Sequence, residues 1–146
     1  MKISTRLRYG TRLLVKLGRN YGKGPLFLKD IARKECISEK YLSQIIIPLK
    51  NSGMVNSFRG AKGGYMLSRP PELITMKEIY NILEGDFNIV KCVGDPKVCS
   101  RIAACATHSL WIKLGAHIET MLSCVSLNDL LDQRLYETEK AIIYNI

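Results

Sequence analysis

Three cysteines and a histidine, Cys92, Cys99, Cys105 and His108, stand close together in the second half of this 146-residue chain. Thiolates are soft donors suited to iron–sulfur clusters or zinc. Structural zinc usually takes closely spaced C-x2-C pairs, and none occurs here. Gaps of six and five residues in a segment without periodicity suit a larger object, and a cluster accepts histidine in place of cysteine at higher potential. Cys105 and His108 are three apart at an expected helix start, so they should share one face, where the helix N-terminus favours a thiolate and an anionic cluster. Plainer readings stand beside these: a capping or surface role for His108, or a redox-active disulfide between two of the loop cysteines. Cys36 and Cys124 read as small apolar residues, and His117 as an exposed side chain without a thiol neighbour. An odd total of five cysteines, three of them clustered, is unlike a secreted disulfide framework.

The elements that must position this loop follow from periodicity. A first helix is expected from Ser4 to Arg19, where Tyr9, Leu13 and Leu17 recur at fours. Residues 20–25, with two glycines and a proline, form a loop. A short helix follows over Leu28 to Lys34, a tight connection at Cys36 and Ile37, and then a helix capped by Ser38. In that helix Leu42, Ile45, Ile46 and Leu49 give a half-buried pattern, and Pro48 predicts a kink after Gln44 or a broken last turn before Gly53. Met54 to Phe58 and Tyr65 to Ser68 read as two strands joined by a glycine-rich hairpin. This order is that of a winged helix-turn-helix over residues 1–70. Residues 71–133 then hold a helix opened by a Thr75–Glu78 capping box, the cysteine loop, and a long helix from about Cys105 to Val125. Trp111, Leu114, Ile118, Met121, Leu122 and Val125 form its near-heptad stripe, and Ser126 can cap a last short helix. Residues 134–146 are a C-terminal tail. The fold class expected is mostly α with a small β-hairpin wing, a winged helix-turn-helix plus a long dimerisation helix.

Charge is divided unevenly. Residues 1–75 hold fifteen Lys and Arg against four Asp and Glu, or +11; residues 76–146 hold seven against nine, or −2; together these give the net +9. A basic front half suits a polyanion. On the second helix of the motif Ser38, Lys40, Tyr41, Ser43 and Gln44 are positioned to read a major groove, with Gln suited to adenine and Lys to guanine. Arg59, Gly60 and Lys62 at the wing tip suit a minor groove, where thin backbone and positive charge are favoured. Lys2, Ser4, Thr5 and Arg8 can add phosphate contacts. No leader and no bilayer-spanning run is expected, so the chain reads as cytoplasmic with double-stranded DNA as its partner. No Ser-His-Asp set or acid/base pair suggests an enzyme.

The opening KISTRLRYG, the segment ISEKYLSQIIIPLKNSGMV, the wing RGAKGGYMLSRP, and the cysteine loop followed by THSLW and SLNDLL together resemble the Rrf2 family of transcription regulators, which includes the IscR, NsrR and CymR groups. The resemblance covers roughly residues 1–133. It implies a homodimer whose long C-terminal helices cross, each docking near the partner's DNA-binding unit. It also implies Cys92, Cys99 and Cys105 as cluster ligands, with His108 matching the IscR-type fourth ligand of a two-iron, two-sulfur cluster. The NsrR type uses a carboxylate on the first helix, where this sequence has Arg8. Two departures stand out: the first gap is six residues where the IscR type usually has five, and Ser43 replaces a frequent glutamate. A loop absorbs one residue at small entropic cost. The expectation is a cluster-dependent repressor or dual regulator of iron–sulfur assembly or redox-stress genes. The rivals are a cluster-free repressor of the CymR type that senses thiols or a partner, and a small iron–sulfur electron carrier.

Overall fold

The computed structural model of the chain describes residues 3–132. Helices α1 (Thr5–Arg19), α2 (Leu28–Glu35) and α3 (Glu39–Asn51) precede strands β1 (Val55–Phe58) and β2 (Gly64–Leu67). Helix α4 (Met76–Glu84), the single turn α5 (Lys91–Gly94), α6 (His108–Cys124) and α7 (Leu127–Leu131) complete the order, with short 3-10 turns at Pro71–Leu73, Pro96–Val98 and Ile102–Ala104. Lys2 and the tail over residues 134–146 lie outside the described residues. The expected class holds: a mostly helical chain with a winged helix-turn-helix and a long helix after it.

Helix α1 is the central beam. Ser4 caps it by accepting from the Leu7 N–H at 3.0 Å, and Leu13, Leu14 and Leu17 are buried against α3, α4 and α7. Leu42 and Leu49 of α3, Met54, Ile74, Ile79 of α4 and Leu127 of α7 join them in one cluster. Each such leucine is worth about 2 kcal/mol of burial. Among the described residues no polar or charged residue is buried, so shape is set by apolar packing and charge is left to the surface.

Pro48 does not break α3. The helix continues to Asn51, and the Ser52 N–H donates to the Pro48 carbonyl at 3.0 Å. The stop comes at Gly53, whose φ of 78° is in the left-handed region. There the Gly53 N–H reaches the Lys50 carbonyl and the Met54 N–H reaches the Leu49 carbonyl, at 3.0 and 3.1 Å, which satisfies carbonyls a helix end otherwise leaves open. Buried Leu49 and Met54 accompany this turn. Packing on both sides of the proline holds the last turn that propensity alone would lose.

The hairpin pairs Val55 with Leu67 and Phe58 with Gly64. A third segment joins it: Leu26 and Tyr65 exchange backbone hydrogen bonds at 2.8 and 2.9 Å. Gly64 makes this possible, because a Cβ there would sit 2.4 Å from the Leu26 carbonyl oxygen, and its φ is 127°. Leu26, read from sequence as following a loop, is therefore the strip that fixes the base of the wing to α2.

In the second half, Thr75 caps α4 through the Glu78 N–H at 3.2 Å, but the Glu78 carboxylate turns to Arg69 instead of closing the capping box. Ser126 and Asp129 form a complete box on α7. The Met76 N–H donates to Val125 and the Leu127 N–H to Ile74, at 2.8 and 2.7 Å, clamping the end of α6 to the start of α4.

Candidate nucleic-acid interface and cysteine loop

Helix α3 turns Leu42, Ile45, Ile46 and Leu49 inward, which leaves Lys40, Ser43 and Gln44 exposed on the opposite stripe. Tyr41 is half-buried and meets Tyr9 of α1 edge-on, with ring centroids 6.0 Å apart. The guanidinium groups of Arg8 and Arg12 lie 5.9 and 5.6 Å from the Tyr9 centroid. Tyr9 and Tyr41 thus join α1 and α3 into one surface edged by cations, a link that sequence reading missed because Tyr9 passed as a core residue. Thr5 and Arg8 are exposed on it, and Arg8 donates to the Thr5 hydroxyl at 3.3 Å.

The serines have local partners. Ser4 donates to the Glu84 carboxylate as well as capping α1. Ser38 accepts from the Tyr41 N–H at 3.4 Å, and Ser43 donates to the Glu39 carbonyl at 2.9 Å. Arg59, Gly60 and Lys62 are all exposed at the wing tip, where Gly60 has φ 99°. Between α3 and the wing runs a cleft of about 510 Å3 that Ser43, Lys50, Phe58 and Arg59 line together. The structure therefore brings the helix and wing candidates to one side of the molecule.

An ion-pair clamp at the surface ties α1 to the end of α2. Glu35, at the end of α2, receives Arg12 at 2.8 Å and Lys16 at 3.0 Å, both from α1. Arg12 also donates to the Glu35 carbonyl at 2.5 Å. Burial pushes the Glu35 carboxyl up, but hydrogen bonds and charge from Lys16 and Arg12 outweigh it and leave the pKa below the ordinary value.

The cysteine loop is built differently from the expectation. Helix α6 begins at His108, not at Cys105, and Cys105 precedes it in extended backbone after the 3-10 turn at Ile102–Ala104. The shared helical face expected of Cys105 and His108 is therefore not formed. Short turns break up what sequence presented as a structureless run, because Pro96 and the Asp95 side chain, which accepts from Lys97, start a turn locally. All five cysteines are free thiols; Cys92 and Cys99 are half-buried and Cys105 is exposed. Among the described residues no three His, Cys, Asp or Glu side chains converge closely enough to hold a metal ion. Cys92, Cys99 and Cys105 thus share one loop that leads into His108 at the start of α6, without forming a coordination shell among the described residues.

Two local observations bear on what the loop can hold. The His108 Nδ1 is buried and has no hydrogen-bond partner, the one such side-chain nitrogen or oxygen among the described residues. The Cys105 thiol is pulled below its ordinary pKa, chiefly by hydrogen bonds from the Thr107 hydroxyl (3.4 Å) and the Thr107 N–H, with the His108 N–H and Arg101 adding to it. No residue from 86 to 107 is buried, so gathering the donors around a cluster would not break into the core. The donor chemistry fits such a group; the loop conformation does not bring the donors together.

Helix α6 leaves part of its apolar surface exposed. Of its residues Gly115 alone is buried, beside Phe87 and Ile89, while Leu110, Leu114 and Met121 are about half exposed. Next to it lies an apolar groove of roughly 400 Å3 between α1, α4 and α6, lined by Leu7, Met76, Tyr80, Phe87, Ile118 and Leu122. His117 turns back to the Lys113 carbonyl at 2.7 Å and takes no part in the loop. No described helix is long and apolar enough to cross a membrane.

Comparison with known proteins matches residues 3–133 to the family model Rrf2, described as an iron-dependent transcriptional regulator. The transcriptional regulator CymR of Bacillus subtilis (strain 168) is 38% identical over 144 residues, 99% of each chain. The solved structure of B. subtilis CymR, the global cysteine regulator, superposes with a TM-score of 0.78 at 38% identity over 91% of this chain and 98% of that one. The structure of T. potens IscR gives a TM-score of 0.74 at 35% identity over 94% and 90%.

Proposed function

The chain belongs to the Rrf2 family of transcriptional regulators, not to an enzyme family, and from that premise we propose a homodimeric DNA-binding repressor or dual regulator whose grip on DNA is set by an iron–sulfur cluster at Cys92, Cys99, Cys105 and His108. The observation that carries this reading is the His108 Nδ1, buried and without a hydrogen-bond partner among the described residues, at the start of α6 directly after the loop that holds three free thiols. A two-iron, two-sulfur cluster would supply a charge and redox state that change with oxidants, with histidine ligation raising its potential. The chain's part is mechanical: the loop runs directly into α6, and α6 is clamped to α4 through Val125 and Met76, so reordering the loop moves α6 against the winged unit. Two copies pairing through the exposed α6 stripe and the adjoining groove would set the spacing of two α3 helices, about one turn of DNA apart. Occupancy then biases that spacing, a two-state element coupled to affinity.

A second reading has its own support. The donors do not converge in the present conformation, and CymR is 38% identical over the whole chain. On that reading the same loop senses oxidation or a partner protein through bare thiols, with no cluster.

One experiment separates them. Protein purified without oxygen and reconstituted with iron and sulfide is expected to show visible charge-transfer absorption, lost in the triple variant Cys92→Ala, Cys99→Ala, Cys105→Ala, together with a change in operator affinity. No colour, with affinity that responds to thiol oxidation, establishes the second reading. No colour and identical affinity in the triple variant eliminates the loop as a sensor.

A further inference from the structure

The recognition helix opens on a carboxylate that the fold does not use. Glu39 is the first residue of α3, is exposed, and lines the cleft between that helix and the wing with Ser43, Lys50, Phe58 and Arg59. The other acids of the basic half lie elsewhere. Asp30 pairs with Arg33 at 2.6 Å, Glu35 is held by Arg12 and Lys16, and Glu72 sits in the 3-10 turn after the wing. Among the described residues the Glu39 side chain has no hydrogen bond or ion pair; its carbonyl alone is engaged, by the Ser43 hydroxyl at 2.9 Å.

A carboxylate in a first helical turn complements the helix dipole, and that role needs no ligand. Its position, however, faces the surface that meets phosphates, where an acid repels within a Debye length of about 8 Å. An acid at this place is compensated when it meets a hydrogen-bond donor on the DNA. The major-groove edge of cytosine offers one, the N4 amine, without the neighbouring acceptor that adenine carries at N7. The Ser43–Glu39 bond fixes the first turn and leaves the Glu39 side chain reaching beyond it.

We propose that Glu39 reads a base: its carboxylate accepts from the N4 amine of a cytosine in each half-site and repels the O6 and O4 acceptors of guanine and thymine. This rests on α3 occupying the major groove, the docking assumed above. Gln44 and Arg59 supply independent checks of that docking.

The test uses the full chain on duplexes carrying a randomised operator, followed by sequencing, and on an unrelated duplex at fixed salt. Wild type is expected to prefer cytosine about tenfold at one position per half-site. Glu39→Gln should move that preference toward adenine, which an amide can bond twice, and tighten binding to unrelated DNA. Glu39→Asp keeps the charge and shortens the reach, so it should lose the preference without tightening. Replacing the cytosine by 2-pyrimidinone, which lacks the amine, should weaken wild type about tenfold and leave Glu39→Gln unaffected. If every base preference survives in both variants while Gln44→Ala or Arg59→Ala changes them, Glu39 serves the helix dipole only and the inference is wrong. If Gln44→Ala and Arg59→Ala also change nothing, the docking of α3 has failed instead, and Glu39 fails with it.

Discussion

From α1 to Leu67 the winged unit ties its own parts together: Leu26 bridges to Tyr65, Glu35 takes two cations from α1, and Leu42, Leu49, Met54 and Leu67 are buried. From residue 86 to residue 107 no side chain is buried, and the helix that follows turns Leu114 and Met121 outward. The contrast teaches that the two regions spend their apolar residues differently, one on its own core and the other on the surface. The winged unit closes on itself and offers charge to DNA. The cysteine loop and α6 leave three thiols, the His108 Nδ1 and several apolar side chains without a partner among the described residues.

That contrast can be broken at several points. The largest effect is expected from Leu114→Asp combined with Met121→Asp. It should leave the winged unit folded but convert the protein to a monomer, and lower operator affinity roughly a thousandfold by removing two-site binding. Light scattering and fluorescence anisotropy check this; a dimer of unchanged affinity would mean the α6 stripe is not the interface. Next, Leu42→Ala should cost about 3 kcal/mol in urea unfolding, whereas Val98→Ala in the exposed loop should stay within about 0.5 kcal/mol. Equal losses at both sites would erase the difference between the regions. Arg59→Ala should weaken DNA binding about tenfold with no shift in the unfolding midpoint.

The smallest effect concerns Glu35. Its pKa is lowered on folding, so its contribution to stability is present above the ordinary carboxylate value of about 4.3 and is lost as the pH falls through the lowered value. Glu35→Gln should therefore destabilise by about 1 kcal/mol at neutral pH and converge with wild type below that range. Urea midpoints measured against pH decide it; a constant gap down to the acid limb would show that the Glu35 carboxylate contributes packing and not charge.

Much of the winged unit was legible in the residues. The apolar spacing in α1 and α3, Ser38 as a cap, Gly53 as a stop and the glycines of the wing each act within a few residues, and each is where local pattern puts it. Of the two outcomes expected at Pro48, a kink after Gln44 or a broken last turn, the second does not occur, since α3 runs on to Asn51 with Leu49 and Met54 packed beside that turn. In the second half of the chain the long helix was expected to begin at about Cys105, but it starts at His108, after the turn at Ile102–Ala104. The Tyr9–Tyr41 contact and the Glu35 clamp had no sequence signal, because each joins residues nineteen or more positions apart.

The sequence by itself determined the element order, the basic and near-neutral halves, and the presence of soft donors in one loop, because composition and periodicity act along the chain. Only the tertiary structure decided which of those elements face each other. The distance between Gly64 and Leu26, the apolar groove beside α6, and the His108 nitrogen and Glu39 carboxylate that lack partners among the described residues all arise where distant segments meet or fail to meet. Such contacts depend on the packing of whole helices, and no local pattern encodes them.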